Sequence, residues 1–251
     1  MRRSTERVSR RAGPPRILAL WSAPRCRSTA FFRMMAQRGD FHVLHEPFSY
    51  LMEFGATTVD GATVRSEREL AGAIRELSTR APVFFKDTTD SRYPGLLADT
   101  AFLRDDATHA FMIRHPRETI RSYYALNPAV RNDQIGFAHL YEIFAAVADL
   151  VGDYPVVLDA QDLVRDPERA VEAFCARVSI PYQPEALSWE PGARDEWLPS
   201  ARWHVDASQS RGFAALANGY DADADAVPTL MAYLRHHLPY YERLRAHKMR
   251  V

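Results

Sequence analysis

Two arginines and two hydroxyl side chains lie together in one short segment that could bind an anion. The segment reads SAPRCRST (22–29) and contributes Arg25, Arg27, Ser28 and Thr29, with Cys26 between the two arginines. It joins a short apolar run to a pattern typical of a helix, and the N–H groups and dipole of a helix N-terminus attract anions. Residues 25–29 therefore predict a binding site for a phosphate, or for a group isoelectronic with phosphate.

The same segment lacks the residues of a nucleotide-hydrolysing P-loop. That motif reads GxxxxGK[ST]; its glycine-rich backbone and lysine hold phosphates, and its hydroxyl binds Mg²⁺. Residues 22–29 contain no glycine and no lysine, and no other motif in the chain clearly supplies an aspartate for a metal. A metal-independent transfer of an anionic group is therefore favoured over ATP hydrolysis.

Lysine is rare in this chain, which makes the position of Lys86 informative. Only Lys86 and Lys248 are lysines among the 32 basic residues. Lys86 lies near the end of the apolar run PVFFKD (82–87). A lysine at the end of a buried strand can extend its ammonium group to solvent, or it can supply a cation to a site. The sequence leaves both possibilities open.

The elements that would position these residues alternate between strand and helix patterns. The predicted strands are 16–22, 41–45, 82–87, 108–115 and 155–159, and the predicted helices are 28–39, 66–80, 116–126, 133–151, 166–178, 227–238 and 239–248. Such alternation is typical of an α/β fold with a central parallel sheet, here of about five strands, flanked by helices. Ligands bind at the carboxyl ends of the strands in such sheets. The irregular residues 181–225 predict a loop-rich cap.

Composition and charge exclude several classes of protein. The chain has 251 residues, of which 47% are hydrophobic and 25% charged, and its formal net charge is zero. These values are typical of a globular protein, and the balanced charge implies no nucleic-acid partner. No apolar run approaches the about 18 residues that a membrane-spanning helix needs, so we expect no membrane insertion. The two cysteines suit a reducing compartment. We therefore expect a cytoplasmic protein with a disordered basic tail at 1–15 and a single domain over 16–251.

With these motifs the chain resembles the sulfotransferases that use 3′-phosphoadenosine-5′-phosphosulfate (PAPS) and need no metal. In that family a Pro-Arg or Pro-Lys loop binds the 5′-phosphosulfate, and Pro24-Arg25-Cys26-Arg27-Ser28-Thr29 matches that loop. A second family motif has an Arg at a strand end and a Ser eight residues later, which Arg114 and Ser122 match. The resemblance implies that Arg114 and Ser122 bind the 3′-phosphate, within a P-loop-like sulfotransferase fold.

Two segments follow the family pattern less closely. Arg27 stands where many members have Gly, a residue used where the chain needs a positive φ or a close backbone approach. The stretch WHVDASQSRGF (203–213) resembles the late loop that closes over the donor in bacterial members. By that resemblance, Ser208 and Arg211 would contact the 3′-phosphate.

The resemblance also implies roles in catalysis. Cytosolic members take their base from a His two residues after a strand-end Lys, but Thr88 occupies that position here. Carbohydrate-type and several bacterial members use a Glu after the second strand, and Glu46 matches it. We therefore expect Glu46 to be the base, with His45 as the second candidate. Lys86 and Arg25 would stabilise the transferring sulfuryl group and the leaving oxygen.

The expected acceptor is a small molecule with a hydroxyl group, which could be an alcohol, a phenol or a sugar. Segments 47–65 and 186–210 would wall its pocket with apolar and aromatic side chains: Phe48, Tyr50, Leu51, Met52, Phe54, Trp189, Trp197 and Trp203. These side chains favour an apolar or aromatic acceptor. Two other functions stay open, a kinase-like phosphotransferase using ATP and Mg²⁺ and a non-catalytic nucleotide-binding scaffold. The apolar C-terminal stretch TLMAYLRHHLPYYERL also allows a homodimer.

Overall fold

The computed structural model describes residues 13–213 and 227–251, and a five-stranded parallel sheet forms its centre. The strands are β1 (Ile17–Ser22), β2 (His42–His45), β3 (Thr57–Val59), β4 (Ala62–Val64), β5 (Val83–Thr88), β6 (Ala107–Ile113) and β7 (Val156–Asp159). The sheet has the order β2-β5-β1-β6-β7, and β3 pairs with β4 in a separate antiparallel hairpin. The predicted α/β fold is confirmed. Most of the predicted tail at 1–15 lies outside the described residues.

Helices connect the strands and flank the sheet. They are α1 (Ser28–Arg38), α2 (Pro47–Phe54), α3 (Glu67–Arg80), α4 (Pro94–Ala98), α5 (Pro116–Leu126), α6 (Phe137–Val151), α7 (Ala160–Arg165), α8 (Pro167–Val178), α9 (Val205–Gln209) and α10 (Pro228–Arg245). Short 3₁₀ segments cover Asp133–Ile135, Pro184–Leu187 and Asp195–Trp203, and one π-helical turn covers Phe102–Asp106. Across the described ranges, no helix has both the length and the apolar character needed to cross a membrane.

The buried strands β1 and β5 place polar residues at one edge of the sheet. Every residue of both strands is buried, as expected for a parallel sheet that is covered on both faces. Their register pairs Ser22 with Thr88, and β2 pairs His45 with Lys86. The carboxyl ends of these strands therefore lie side by side, and the segments that follow them share one edge.

Local capping explains why two helices begin where the sequence predicts. At the start of α3 the hydroxyl of Ser66 accepts a hydrogen bond from Glu69 N at 3.2 Å, the interaction that favours Ser before a helix. Pro116 occupies the first turn of α5, where its missing N–H costs nothing. The ring of His115 also accepts a hydrogen bond from Arg117 N at 3.2 Å. The predicted helices at 66–80 and 116–126 are thus confirmed to within one residue.

The C-terminal segment differs from the prediction of two helices. Residues 228–245 form the single helix α10, with Pro239 in its interior. Proline removes a backbone hydrogen bond and usually bends or ends a helix. However, Leu234, Tyr241 and Leu244 on either side of it are buried, and α10 packs on α5 and α6. Burial of this continuous face offsets the lost hydrogen bond. The homodimer expected through this stretch stays a prediction.

Helix α6 begins four residues later than predicted because of Gly136. This glycine has a φ of +83° and separates a 3₁₀ turn from α6. A Cβ atom here would lie 2.6 Å from the carbonyl oxygen of Thr89 and 2.9 Å from Pro24 Cδ. Only glycine fits both the backbone conformation and this close approach. The sequence pattern also does not predict α2, α4, α7, α9 or the β3–β4 hairpin, since each is short and lacks a clear period.

Candidate active site

A cavity of about 350 Å³ opens at the carboxyl edge of the sheet. Its wall comes from the segments that follow β1, β2, β5 and β6, and from the cap segment, which we define as residues 195–213. Most of the predicted site residues line it: Arg25, Arg27, Ser28, Thr29, Glu46, Lys86, Arg114 and Ser122. The fold therefore brings residues from four separate segments to one place. The remaining predicted residues, Cys26, His45, Ser208 and Arg211, lie outside the wall.

In the segment 22–29, which joins β1 to α1, two residues adopt the left-handed backbone conformation. Arg25 has a φ of +67° and Arg27 a φ of +65°, a conformation that costs a residue with a side chain about 1–2 kcal/mol. Arg27 directly precedes α1 and occupies its N-cap position. It thus takes the backbone conformation for which glycine is usually chosen, and it adds a guanidinium group to the wall. In the part of the chain that the structure describes, no side chain caps the N-terminus of α1.

Cys26 lies between these arginines without contributing a reactive group. Its side chain is fully buried. Burial raises the pKa of the thiol to about 12, although the charge of Arg114 opposes the shift. A protonated buried thiol is chemically inert. Only the backbone of Cys26 can therefore take part in binding an anion.

The guanidinium group of Arg25 joins three segments at the cavity. Its Nε donates a hydrogen bond to Ser122 Oγ at 2.9 Å, and its Nη1 donates to the carbonyl oxygen of Trp203 at 2.5 Å. Its Nη2 lies 3.8 Å from Asp206 Oδ2. Ser122, the predicted partner of Arg114, therefore lies directly against Arg25. The cap segment is attached to the same guanidinium group.

Arg114 is held at the end of β6 by two contacts. Its Nε donates to Glu118 Oε2 at 2.7 Å, and its Nη1 donates to the carbonyl oxygen of Arg25 at 3.1 Å. The carboxylate of Glu118 is 41% exposed, and ion pairs with exposed partners are weak. An anion in the cavity can therefore compete with Glu118 for this guanidinium group.

A buried ion pair joins the end of β5 to the residue that follows β2. The ammonium group of Lys86 contacts Glu46 Oε1, and both side chains are buried. Burial alone would raise the pKa of Glu46, but the charge of Lys86, with help from His45 and His204, lowers that pKa to about 2. Glu46 is therefore ionised at neutral pH. Lys86 does not extend to bulk solvent, which excludes the first of the two possibilities that the sequence left open.

Asp87 holds Glu46 in place, although the sequence analysis did not single it out. Its carboxylate accepts hydrogen bonds from Phe48 N at 2.6 Å and from Ser49 N at 3.1 Å, both in the first turn of α2. It thereby caps the helix that Glu46 precedes. Burial, and then the charge of Glu46, raise the pKa of Asp87 to about 7. The sequence signal is a second charged residue, directly after Lys86, in an otherwise apolar strand.

Two histidines adjoin the ion pair, and one of them lines the cavity. His204 Nδ1 lies 3.0 Å from Thr29 Oγ1, and its Nε2 lies 3.0 Å from Ser200 Oγ. Burial lowers the pKa of His204 to about 4. His45 contacts the hydroxyl of Tyr50 at 2.9 Å, and burial lowers its pKa well below the usual value. Both imidazoles are therefore neutral at pH 7. The sequence analysis missed His204.

His45, Glu46 and His204 also offer ligand atoms within 4.8 Å of one another, which makes them a candidate metal site. Two imidazoles and a carboxylate suit Zn²⁺ and similar ions. However, the ammonium group of Lys86 already pairs with Glu46, and both ring nitrogens of His204 have hydrogen-bond partners. A metal would have to displace these contacts.

The cap segment is anchored over the cavity by α1. Arg33 donates hydrogen bonds to the carbonyl oxygens of Ala207, at 2.7 Å, and Glu190, at 2.5 Å. Arg211 instead forms an exposed ion pair with Glu190 Oε2 at 3.0 Å. Ser208 and Arg211 both lie outside the cavity wall. Their predicted contact with a 3′-phosphate stays a prediction.

The rest of the cavity is more polar than predicted. Among the apolar and aromatic side chains expected to wall it, only Met52 and Trp203 do so. Phe48 and Trp197, for example, are fully buried in the core. The wall instead carries Ser49, Glu53, Thr88, Asp90, Ser91, Asn127 and Gln134. Six of the eight side chains predicted for the wall therefore do not line it, and Leu163, Val164 and Phe213 contribute apolar surface instead.

Comparison with known proteins agrees with this geometry. A family model for the sulfotransferase domain matches residues 15–248. The crystal structure of a sulfotransferase from Alicyclobacillus acidocaldarius is similar with a TM-score of 0.52 and 16% identity, covering 97% of this chain and 98% of that chain. At this level of identity the likeness shows a common fold.

Two curated relatives come from Arabidopsis thaliana. Branched-chain-amino-acid aminotransferase-like protein 2 is 28% identical over 92% of this chain, which corresponds to 42% of its own length. Branched-chain-amino-acid aminotransferase-like protein 1 is 29% identical over 80% of this chain and 37% of its own length. The chain thus spans less than half the length of these relatives. Because the family model matches nearly all of its residues, this chain belongs to the sulfotransferase family.

Proposed function

We propose that this protein transfers a sulfuryl group from PAPS to a hydroxyl group of a small-molecule acceptor. The observation that carries the proposal is the meeting of loop 25–29, Arg114 and Ser122 with the buried Lys86–Glu46 pair around one cavity. Transfer of such a group depends on positioning and on cations that stabilise the developing charge. Membership of the sulfotransferase family supports the same reaction class.

Loop 25–29, Arg114 and Ser122 form the part of the cavity that we call the donor end. PAPS carries a phosphosulfate on its 5′-oxygen and a phosphate on its 3′-oxygen. The N-terminus of α1, with Arg25 and Arg27, would hold the phosphosulfate. Arg114 and Ser122 would hold the 3′-phosphate, since a guanidinium group can bind a phosphate through two parallel hydrogen bonds. The contact between Arg114 and the Arg25 carbonyl brings the two phosphate-binding groups close together.

Glu46 is the proposed base, since it lines the cavity and His45 does not. During transfer, a bond forms between the acceptor oxygen and sulfur while the bond from sulfur to the 5′-phosphate oxygen breaks. The acceptor proton passes to Glu46, and the electron pair of the broken bond stays on the phosphate oxygen. Lys86 and Arg25 would stabilise the charge on the sulfuryl and leaving oxygens.

Lys86 would also control when Glu46 can accept a proton. While Lys86 pairs with Glu46, the pKa of that carboxyl is about 2, which is too low for an efficient base near neutral pH. The oxygens of the sulfuryl group would compete with Glu46 for the ammonium group. If the ammonium group of Lys86 moved towards the donor, the pKa of Glu46 would rise. Glu46 would then become a better base at the stage when the acceptor hydroxyl loses its proton.

The two alternative functions have less support. An ATP-dependent phosphotransferase would normally use a P-loop lysine and glycines, which residues 22–29 lack. A non-catalytic scaffold would have little use for a buried ion pair in the cavity wall, because burying two charges rarely adds net stability. Both alternatives nevertheless make distinct predictions about nucleotide binding.

A calorimetric titration separates the three functions. The purified protein is titrated with 3′-phosphoadenosine 5′-phosphate (PAP), the expected product, without added metal, and in parallel with ATP and Mg²⁺. We expect binding of PAP and no measurable binding of ATP. Binding of ATP with Mg²⁺ in place of PAP would favour the phosphotransferase. Failure of both nucleotides to bind would contradict the proposed donor and favour the scaffold.

A further inference from the structure

We infer that the acceptor carries a positively charged ammonium group and that Asp90 is its counter-ion in the cavity. This inference rests on the proposed function, because it names the acceptor of that reaction. It concerns the part of the cavity that we call the acceptor end. The acceptor end consists of Ser49, Glu53, Thr88, Asp90, Ser91, Tyr123, Asn127 and Gln134.

Asp90 lies close to the proposed reaction centre. It follows β5, two residues after Thr88, and its side chain is half-buried in the cavity wall. Its Oδ1 accepts hydrogen bonds from Thr88 Oγ1 at 3.0 Å and from Ser49 Oγ at 3.4 Å. Both contacts come from neutral hydroxyl groups. Within residues 13–213 and 227–251, Asp90 forms no ion pair with a lysine or arginine.

Negative charge accumulates around this carboxylate. Glu46, Glu53 and Asp90 all line the cavity, and Lys86 pairs with Glu46 alone among them. Burial, and then the charge of Glu46, raise the pKa of Asp90. A partly desolvated carboxylate without a cationic partner is costly. A cation in the cavity would lower this cost and would be held by the same carboxylate.

Tyr123 shows that these carboxylates face a common space. Burial, followed by the charges of Asp90, Glu46 and Glu53, raises the pKa of Tyr123, while the charge of Arg202 opposes the shift. Its ring packs edge-on against Trp203, with ring centroids 5.3 Å apart, and both residues line the cavity. Aromatic faces attract cations. The acceptor end therefore combines carboxylates with an aromatic wall, which is the chemistry that recognises an ammonium group.

Besides Lys86 and the arginines of the donor end, Arg202 also lines the cavity. Its guanidinium group lies over the ring of Trp203, 4.6 Å from the centroid. The residue is exposed to solvent. Salt and water screen an exposed charge much more than a buried one. Arg202 therefore does not replace an ammonium group next to the half-buried Asp90.

The test uses pairs of hydroxyl compounds that differ only in charge. Tyramine is compared with 4-propylphenol, and 3-aminopropan-1-ol with butan-1-ol, so that a methyl group replaces the ammonium group in each pair, by ligand-observed NMR titration of the full chain saturated with PAP. Each amine is expected to bind about tenfold more tightly than its neutral partner, as a single charge-assisted contact provides. In Asp90→Asn this preference should fall to about twofold or less. Asp149→Asn, an exposed carboxylate on α6 outside the cavity wall, should keep it.

Thermal unfolding and PAP affinity show whether Asp90→Asn is folded, and Glu53→Gln provides a second variant. Because Glu53 is exposed, its substitution should reduce the preference by only about twofold, as for a screened charge. Equal affinity for amines and neutral compounds, or a preference that survives in folded Asp90→Asn, would overturn the inference. Absence of PAP binding would instead contradict the proposed function, and the same amine preference would then be measured on the protein without PAP.

Discussion

The donor end and the acceptor end of the cavity are opposite in charge and are built in different ways. The donor end gathers Arg25, Arg27 and Arg114 around the N-terminus of α1. The acceptor end carries Glu53 and Asp90 among neutral polar side chains. The Lys86–Glu46 pair, one charge of each sign, lines the same cavity. If the two proposals hold, this difference in charge directs the anionic donor to one part of the cavity and the cationic acceptor to the other.

The two ends also differ in how firmly their charges are held. Arg25 and Arg114 already contact carbonyl oxygens and carboxylates of the protein, so a donor has to replace some of these contacts. Within the described residues, the side chains that donate hydrogen bonds to Asp90 are hydroxyl groups alone. Binding at the donor end should therefore exchange one set of ion pairs for another, whereas binding at the acceptor end should create a new one.

The largest expected effect separates chemistry from donor binding. Glu46→Gln should lower turnover about 10²-fold or more, because it removes the proposed base. PAP affinity should stay nearly unchanged, since the donor end is intact. Release of PAP from PAPS in the presence of the amines above measures the turnover, and calorimetry measures the affinity. Glu172→Gln, an exposed carboxylate on α8, is the matched control. Near-normal turnover in Glu46→Gln would remove this residue from the role of base.

A smaller effect is expected at the donor end. Arg114→Ala should weaken binding of PAP by about tenfold, the loss of one charge-assisted contact to phosphate. Binding of adenosine 5′-monophosphate, which lacks only the 3′-phosphate, should change much less. Arg177→Ala, an exposed arginine on α8, controls for the change in net charge. Equal losses for both nucleotides would place Arg114 elsewhere than at the 3′-phosphate.

The smallest effect concerns His204, the histidine of the cap segment that contacts Thr29. The pKa of His204 is lowered to about 4 by burial, so an unfolded chain binds a proton that the folded chain does not between about pH 6.5 and pH 4. Acidification through this window should lower the free energy of unfolding, by up to about 1.4 kcal/mol per pH unit for one group. His204→Gln should reduce this pH dependence by up to about 1.4 kcal/mol per pH unit, the contribution of one proton. The free energy of unfolding is measured from urea unfolding curves at a series of pH values. An unchanged slope would contradict the buried, neutral state of His204.

The donor end could be predicted from the sequence because its signals are local. Arg25 to Thr29 are neighbours in the chain, and a strand and a helix of clear pattern flank them. Arg114 and Ser122 belong to one strand-to-helix connection. Short-range patterns of this kind predict which segments meet at the cavity, and the five strands and most of the longer helices follow for the same reason, whereas the contact between Arg25 and Ser122 joins distant segments and was not predicted.

The acceptor end could not be predicted because residue type does not determine which way a side chain faces. The apolar side chains of α2 suggested an apolar pocket, but Phe48 packs into the core and Glu53 lines the cavity. Contacts between distant segments were also hidden. His204 touches Thr29 across 175 positions of the chain, and Asp87 caps α2 from a neighbouring strand. Neither contact leaves a pattern in the sequence.

A crystal structure of the protein with PAP and tyramine tests the central claim most directly, namely that the cavity has separate donor and acceptor ends. The account predicts the 3′-phosphate at Arg114 and Ser122 and the 5′-phosphate at the N-terminus of α1. It also predicts the phenolic oxygen near Glu46 and Lys86 and the ammonium group at Asp90. PAP bound away from Arg114, or the ammonium group bound away from Asp90, would contradict this division of the cavity.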